Sequence, residues 1–338
     1  MRLLRFVARR LVQLLPVLLG VIVLTFILVR ILPGDPIQTI LGPNYTEEDA
    51  AAARARYGLD QPLWKQFLDY LGGLATGDLG TSIQSGGSVS AELAERIGPT
   101  LELVILALAV ALLLATVLGI WSARRAYRLG DHTIRVVALA GNSLPDFWLG
   151  LVLILVGYSL LGWFPAPSGR VDPDVGLTPI TGAELVDALL TGNGPAIGSA
   201  LSHLALPVAT LAIVITAPLL RSVRASALEV LNSESYTAAA AHGLKERLLL
   251  RGYLVRATLV RLPQLAALVF GFSIGSTVLV EYVYSWQGFG QWALRGLLYR
   301  DYPVIQASVV VIATCYLLVF LIADVLQAML DPKVRIDG

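Results

Sequence analysis

Charged residues are scarce in this chain. Lysine, arginine, aspartate and glutamate together make up 14% of the 338 residues, whereas 56% of the residues are hydrophobic. Soluble globular domains carry about 25% charged residues. The composition, with a mean hydropathy of +0.72, therefore excludes an ordinary soluble domain and indicates a protein that crosses a membrane several times. Because the net charge is only +1, bulk charge does not predict a nucleic-acid partner.

Residues that hold metals, form disulfides or bind nucleotides are also scarce. The one cysteine, Cys315, lies in an apolar run, and the three histidines, His132, His203 and His242, lie far apart. No spacing matches a metal-ligand set, so the sequence predicts neither an intrachain disulfide nor a metal site. The run G-x-x-x-x-G-K-[ST] does not occur, and no Gly-Lys pair occurs anywhere. The chain therefore lacks the phosphate-binding loop of an ATPase.

Six apolar runs reach the length of about 20 residues that a membrane-spanning helix needs. The first exceeds the apolar core of a signal peptide, about 7–15 residues, and is predicted to be retained as a span. No stretch alternates with the period of a barrel strand. The chain is thus predicted to be all-α, with six transmembrane helices. The runs lie at 10–31, 101–122, 136–162, 203–220, 262–284 and 304–328.

Lysine and arginine are unequally divided between the two sides of the membrane. If the N-terminus is inside, seventeen of them fall in inside segments and eight in outside segments, although the outside segments are longer in total. Because basic residues accumulate on the cytoplasmic side, both termini are predicted to be cytoplasmic. The chain is then one membrane domain, 1–338, with outside segments at 32–99 and 163–202 and a long inside loop at 221–261.

The first outside segment carries signals for two short helices. Thr46 can cap a helix with an acidic first turn, Gly58 can end it, and Pro62 can begin the next helix. An apolar face follows at helical spacing. Two surroundings fit this face, the membrane surface and the other helices of the chain. Its residues are Trp64, Phe67, Leu68 and Leu71.

The second outside segment predicts a further short helix over about 182–191. Thr181-Gly-Ala-Glu184 has the form of a capping box, and Gly192 can end the helix. An apolar face at helical spacing is expected to be buried, because an isolated helix this short is marginal in water. Packing on the outer loops and contact with a solute-binding protein both satisfy this expectation. The face comprises Leu185, Val186, Leu189 and Leu190.

The inside loop contains an alanine-rich stretch, ESYTAAAAHGL, at 234–244. Asn232 or Ser233 can cap a helix over about 235–242, and Gly243 supplies a left-handed stop. Alanine side chains keep the helix slim, so that its backbone can come close to another surface. By these residues alone, a connecting helix and a docking site for a soluble partner are equally supported.

Several stretches of the chain resemble a known protein family. This resemblance favours the docking site over the connecting helix. In chain order, the stretches are RRLVQLLPVLLGVIVLTFILVRILPGDP at 9–36, YGLDQPLWKQFLDYLGGLATGDLGTS at 57–82, SLPDFWLGL at 143–151, EYVYSWQGFG at 281–290, RDYPVIQ at 300–306 and LDPKVR at 330–335. Together they resemble the dipeptide/oligopeptide/nickel branch of ABC importer permeases, specifically the first of its two permease subunits. Two departures are His242 with alanines where the family often has basic residues, and Gln287 where a proline is expected.

The resemblance implies a type I ABC importer permease fold in the plasma (inner) membrane. It implies three kinds of partner: a second homologous permease subunit, two cytoplasmic ATPase subunits or domains, and an extracytoplasmic solute-binding protein. No cofactor is expected on this chain. The alanine-rich stretch would be the coupling helix, with Ala239 and Ala240 facing a groove on an ATPase. Its residues would be Glu234, Tyr236, Ala238, Ala239, Ala240, Gly243 and Leu244.

Ionisable residues within spans are candidates for the pathway or its gate. Asp146 directly follows Pro145. It is expected either to meet a peptide's amino terminus or to stabilise the Pro145 break as a satisfied polar group. The second of these roles is favoured. Glu281, near the outer end of the fifth span, is expected at an outer gate or a partner contact. Asp324, in the sixth span, is expected to meet a basic residue of the inside face.

Two other classes of protein were weighed against a permease subunit. A secondary transporter often shows two related halves, and the sequence shows no convincing repeat. An intramembrane enzyme would need a nucleophile or a metal set, and the one match is Gly271-Phe-Ser-Ile-Gly275. That motif marks a nucleophile only on a strand-to-helix turn. Inside an apolar span, small residues are more typical of close helix packing.

Overall fold

The computed structural model describes residues 2–31, 41 and 45–330. Parts of the motifs at 9–36 and 330–335, and the predicted cytoplasmic C-terminus, lie outside these ranges. Five described helices are long and apolar enough to cross a membrane, and a bent pair of shorter helices can supply a sixth span. The long helices are α1 (Arg2–Ile31), α4 (Val89–Arg124), α8 (Gly194–Leu231), α10 (Leu262–Val283) and α12 (Tyr302–Leu330).

The third predicted span is broken at Pro145. Its two parts are α5 (Leu129–Ser143) and α6 (Asp146–Ile154), which continues as a π-helical turn over Leu155–Leu160. The two parts are bent by 102°. Proline disfavours the helical conformation in the residue before it, and Leu144 is accordingly extended, with φ −86° and ψ 140°. The break was predicted, but its angle was not.

The fourth span, predicted to be the shortest, is longer at both ends than its apolar run. Asn193 caps α8 by accepting a hydrogen bond from the Ala196 N–H at 3.2 Å, and the helix continues through polar residues to Leu231. The inside loop therefore begins at Asn232 rather than at residue 221. In the most apolar stretch of α8, 67% of the residues are buried, compared with 11% in the most apolar stretch of α12. It is thus the central helix of this chain.

Small residues let α4 and α8 approach closely. Ala111 and Ala115 on α4 and Ala212 on α8 belong to one buried cluster. A Cβ atom added to Gly119 would lie 2.7 Å from Cγ1 of Val223, which is closer than two carbon atoms can approach. Without a hydrophobic driving force between helices in lipid, such close backbone contact is what holds spans together.

The first outside segment forms α2 (Glu47–Arg56) and α3 (Leu63–Thr76). Thr46 caps α2 as predicted, in a reciprocal box with Asp49, whereas Pro62 is the residue before α3 rather than its first residue. The apolar face of α3 is divided between the two predicted surroundings. Phe67 packs edge-on against Phe26 of α1 with ring centroids 5.0 Å apart, whereas Trp64 and Leu68 remain exposed.

The predicted helix of the second outside segment is α7 (Glu184–Thr191), and it ends at Gly192 with φ +64°. The capping box is wrong: Ala183 is the cap residue, and it makes no side-chain bond. The Asp187 carboxylate instead accepts hydrogen bonds from the N–H groups of Ile180, Thr181 and Gly182 at 2.8–3.2 Å. Leu185 is buried, but the rest of the predicted apolar face, Val186, Leu189 and Leu190, is exposed.

Asp187 is held ionised by these donors. Burial raises the pKa of the Asp187 carboxyl, but the Thr181 hydroxyl and the three backbone N–H groups lower it, and the net direction is below its ordinary value. A carboxyl with a lowered pKa stabilises the fold above its unfolded pKa of about 3.9. This contribution is lost as the pH falls through the folded pKa. The loop is therefore fully anchored at neutral pH.

The remaining helical elements lie at the two ends of α10. On the inside, α9 (Glu234–Ala241) is followed by a broken helical stretch before α10 begins. On the outside, α11 (Phe289–Leu298) lies between α10 and α12. The broken stretch consists of Glu246–Leu248, a π-helical part over Leu249–Val255, and Arg256–Leu259.

Candidate functional site

The alanine-rich helix α9 has the ends that its sequence predicts. The Ser233 hydroxyl accepts a hydrogen bond from the Tyr236 N–H at 3.3 Å, which satisfies one of the unpaired donors of the first turn. At the other end Gly243 has φ +78°, a conformation that favours glycine. Eight residues of helix span about 12 Å.

One side of α9 is held by this chain and the other side is free. Tyr236 packs against the buried cluster between α4 and α8, and Ala239 is only 7% exposed. The prediction that Ala239 faces outward is therefore wrong. The remaining predicted coupling residues are exposed: Glu234, Ala238, Ala240, Gly243 and Leu244. Among them Ala238 points away from Tyr236 and Ala239, because successive helical residues turn by about 100°.

A buried ion pair ties the helices next to α9 together. Asp131 of α5 is fully buried, and its two carboxylate oxygens accept from Nε and Nη2 of Arg224 of α8, both at 2.8 Å. The carboxylate also accepts from the Tyr127 N–H, at 3.0 Å, and from the Ser122 hydroxyl, and Nε of Arg135 lies 3.5 Å from Oδ1. The sequence analysis missed this pair. The signal that could have indicated the pair is an acidic residue, Asp131, in a predicted cytoplasmic segment that is otherwise strongly basic.

Ion pairs also join the inside ends of the spans around α9. Arg261 donates two hydrogen bonds to the Glu229 carboxylate of α8, at 2.7 and 3.2 Å, and Arg124 at the end of α4 pairs with Glu246. All four side chains are largely exposed, so each pair stabilises by at most about 1 kcal/mol. Their effect is geometric, because they link the loop that carries α9 to both central helices.

Asp146 lies at the bend between α5 and α6, as the first residue of α6. Within the described ranges its carboxylate makes no hydrogen bond and no ion pair, although the side chain is half-buried. The favoured prediction, a satisfied polar group at the Pro145 break, therefore has no support from the described residues and stays a prediction. An acidic side chain without a counter-charge is left in an otherwise apolar span.

Glu281 is a fully buried structural carboxylate on α10. It accepts hydrogen bonds from the Gln291 N–H at 2.8 Å and from the Thr100 hydroxyl. The Thr100 oxygen in turn accepts from the Phe289 N–H at 2.8 Å. Glu281 thus joins α4, α10 and the start of α11. Because this chain encloses it completely, one of the two expected roles, a direct contact with a partner subunit, is not possible in this conformation, and the other, an outer gate, stays a prediction.

Asp324 meets an inside basic residue, as predicted. Its carboxylate lies 3.1 Å from Nε of Arg10 and accepts a hydrogen bond from Nε2 of Gln264 at 2.6 Å. The side chain therefore joins α12 to α1 and α10, the three helices of one side of the molecule.

The G-x-S-x-G match serves helix packing rather than catalysis. Residues 271–275 are helical throughout, and the Ser273 hydroxyl is buried and donates to the Val269 carbonyl at 2.7 Å. A Cβ atom on Gly271 would lie 2.2 Å from the Tyr316 ring. Gly271 therefore allows α10 and α12 to touch, as predicted, and no strand-to-helix turn presents the serine.

The outer loop is anchored to the central span by a second acid that the sequence analysis missed. Glu102 of α4 is buried, and its carboxylate accepts from the N–H groups of Leu185 and Val186 at 2.9 and 3.2 Å. These are donors of the first turn of α7, which a helix cannot satisfy itself. The exposed apolar face of α7 is thereby held in one orientation on the predicted outer side.

Comparisons with known proteins find relatives that match nearly the whole chain. A family profile described as "Binding-protein-dependent transport system inner membrane component" matches residues 115–336, and a second, described as the N-terminal part of such a membrane component, matches residues 3–104. The chain is 37% identical to the di/tripeptide transport system permease protein DppB of Pseudomonas aeruginosa, over 98% of this chain and 99% of the relative.

Two further relatives cover the chain almost as fully. A probable D,D-dipeptide transport system permease protein of Escherichia coli, DdpB, is 38% identical over 95% of both chains. The oligopeptide transport system permease protein AppB of Bacillus subtilis is 34% identical over 98% of this chain and 99% of the relative. The chain belongs to the family of binding-protein-dependent transport system inner membrane components and is a membrane permease subunit.

Proposed function

We propose that this permease is one half of the translocation pathway of an ATP-driven importer for peptides or similar small solutes. The relatives named above are permeases of di/tripeptide, D,D-dipeptide and oligopeptide transport systems. The described part of the chain contains no nucleotide-binding loop. ATP hydrolysis is therefore assigned to two cytoplasmic ATPase subunits or domains, and the other half of the pathway to a second homologous permease.

The observation that carries the proposal is the divided surface of α9. Its inner side, Tyr236 and Ala239, is fastened to the core between α4 and α8. Its free side presents small side chains, among them Ala238 and Ala240, and the exposed Leu244. A slim helix with a rigid base can enter a groove on an ATPase and pass a movement of that groove to the spans.

The unpaired Asp146 is assigned to the pathway in the same proposal. A carboxylate in an apolar span is costly unless it meets a cation, and the α-ammonium group of a peptide supplies one. The sequence left open that Asp146 meets the amino terminus of a peptide. The absence of a partner within the described residues supports this role.

An arginine at Ala238 tests the docking proposal. The side chain is exposed, so arginine does not disturb this chain, but it would separate α9 from a closely fitting groove. The tagged full chain should co-purify with ATP-hydrolysing activity, and Ala238→Arg should abolish both that activity and peptide uptake. The matched control is Ala55→Arg, which places the same side chain on an exposed alanine of α2, on the opposite predicted side.

Two results would contradict docking through α9. One is a wild-type chain that transports peptides but carries no ATP-hydrolysing partner. The other is normal ATP-driven uptake in Ala238→Arg at normal expression. Equal losses in Ala238→Arg and Ala55→Arg would show that the arginine acts through general misfolding.

A further inference from the structure

A cavity of about 290 Å³ opens on the predicted outer side of the chain. Its walls come from the outer end of α1, the turn after α2, the loop over 80–83 and the first turns of α12. It lies at the edge of the membrane part, apart from α9 and from Asp146. The polar side chains that matter for its chemistry are Arg30, Arg56, Tyr57, Tyr302 and Gln306.

The described lining of the cavity carries positive charge and no negative charge. Two of its lining residues are arginines, and none of them is an aspartate or a glutamate. Within the described ranges neither Arg30 nor Arg56 lies within ion-pair distance of a carboxylate. The Arg30 guanidinium is partly withdrawn from water, which is costly unless an anion accompanies it, whereas Arg56 is exposed and adds a second positive charge at the same cavity. The excess charge therefore favours an anionic occupant.

Arg30 is held in place while keeping donors free. Its guanidinium stacks over the Phe26 ring, 3.5 Å from the centroid. Nε and Nη2 donate to Oε1 of Gln66 at 3.2 and 2.8 Å, and Nη1 donates to the Phe26 carbonyl at 3.3 Å. These bonds use three of the five N–H donors of the group. The other two are available to an acceptor in the cavity.

Gln306 supplies an unpaired donor at the same cavity. The residue is only 5% exposed, and its Nε2 atom is buried without a hydrogen-bond partner among the residues that the structure describes. Most buried polar groups in proteins are paired, and each exception needs an explanation. An acceptor that occupies the cavity would satisfy this amide together with the arginines.

The side chains around Arg30 are those expected near the lipid headgroups. Arg30 is in the last turn of α1, next to Ile27 and Ile31, whose side chains are exposed and apolar. Trp64, on the neighbouring α3, is also exposed. Tryptophan collects where the hydrocarbon region of a membrane meets water. An anionic group at the outer membrane surface can therefore reach the two arginines.

We propose that this cavity, the Arg30–Arg56 cavity, binds an oxyanion: a phosphate, either free or in an anionic lipid headgroup, or the carboxylate of a small solute. Both are acceptors that Arg recognises with directed pairs of hydrogen bonds. Gln306 donates to the same oxyanion from the floor of the cavity. The proposal is independent of ATPase docking through α9.

Calorimetric titration of the full chain, purified in detergent with the subunits that accompany it, tests the site. The probes are dihexanoyl-phosphatidylglycerol, inorganic phosphate, and dialanine with its C-terminally amidated form as a control. At least one of the first three should bind saturably to the wild type. Arg56→Gln, at an exposed residue that makes no hydrogen bond, should weaken that binding about tenfold. Gln306→Leu should weaken it in the same direction.

The matched control is Lys65→Gln, which removes the same charge from an exposed residue that does not line the cavity. It should leave the affinity unchanged within about twofold. Binding of the lipid alone assigns the site to a headgroup, binding of phosphate alone to the free ion, and binding of dialanine but not its amide to a carboxylate. No saturable binding of any probe overturns the proposal, as does binding that Arg56→Gln leaves intact or that Lys65→Gln weakens equally.

Discussion

Alanine at Gly288 is expected to destabilise the outer end of the molecule severely. Gly288 has φ −86° and ψ −170°, an extended conformation that alanine adopts without strain. The only cost is therefore space. A Cβ atom at this position would lie 2.5 Å from Oε1 of Glu281 and 2.5 Å from Oγ1 of Thr100, so at least one of these groups must move.

The size of the effect follows from the bonds that such a movement breaks. Glu281 accepts from the Gln291 N–H at 2.8 Å and from the Thr100 hydroxyl, and Thr100 accepts from the Phe289 N–H at 2.8 Å. All of these groups are buried, and each one left unsatisfied costs about 1–3 kcal/mol. Two or three of them give about 2–9 kcal/mol. At about 2 °C for each kcal/mol, the Tm should fall by about 4–18 °C.

The assay is thermal unfolding of the purified chain in detergent, followed by tryptophan fluorescence and by loss of the monodisperse elution peak. Gly275→Ala is the matched control, because the same change on α10 meets no atom within 4 Å and alanine is the better helix former. The double variant Gly288→Ala/Glu281→Ala should cost less than the sum of the single variants, since both break the same bonds. A Tm for Gly288→Ala close to that of Gly275→Ala would refute the reasoning.

Two further predictions concern the pathway and the orientation. Asp146 makes no hydrogen bond or ion pair among the described residues, so Asp146→Asn should leave the Tm within about 1 °C. The same variant should lower the ATP-driven uptake of a peptide with a free amino terminus. Unchanged uptake would remove Asp146 from the pathway. With the single native cysteine replaced by serine, cysteines at the exposed Ser168 and Ser235 should react with a membrane-impermeant maleimide from outside and from inside, respectively. The opposite labelling pattern would reverse the orientation.

Features that depend on neighbouring residues could be predicted from the sequence. Five of the six long apolar runs became long helices and the third became a bent helical pair, because lipid leaves the backbone no other partner than itself. Thr46 caps α2, and Gly243 ends α9 with φ +78°, because cap and stop signals act within one turn. The ends of α8 could not be predicted from hydropathy, since the helix continues through polar residues after it leaves the apolar region.

Pairings between distant residues were decided by the tertiary structure. Asp131 meets Arg224 across 93 positions, and Glu281 meets Thr100 across 181. Asp187 displaced the capping box predicted for α7 because three backbone N–H groups converge on its carboxylate. Asp146, in a span where a partner was expected, has none among the described residues.

The difference between the features that the sequence predicts and those that it does not has one physical reason. Hydropathy and helix signals depend on a residue and its neighbours within a few positions, so the sequence by itself determined the spans, the short helices and the stretch that forms α9. Which side of α9 is free, and which acids are paired, depends on where side chains of separate helices meet after packing. That packing is set by close contacts such as Gly119 against Val223 and Gly271 against Tyr316, which no single segment specifies.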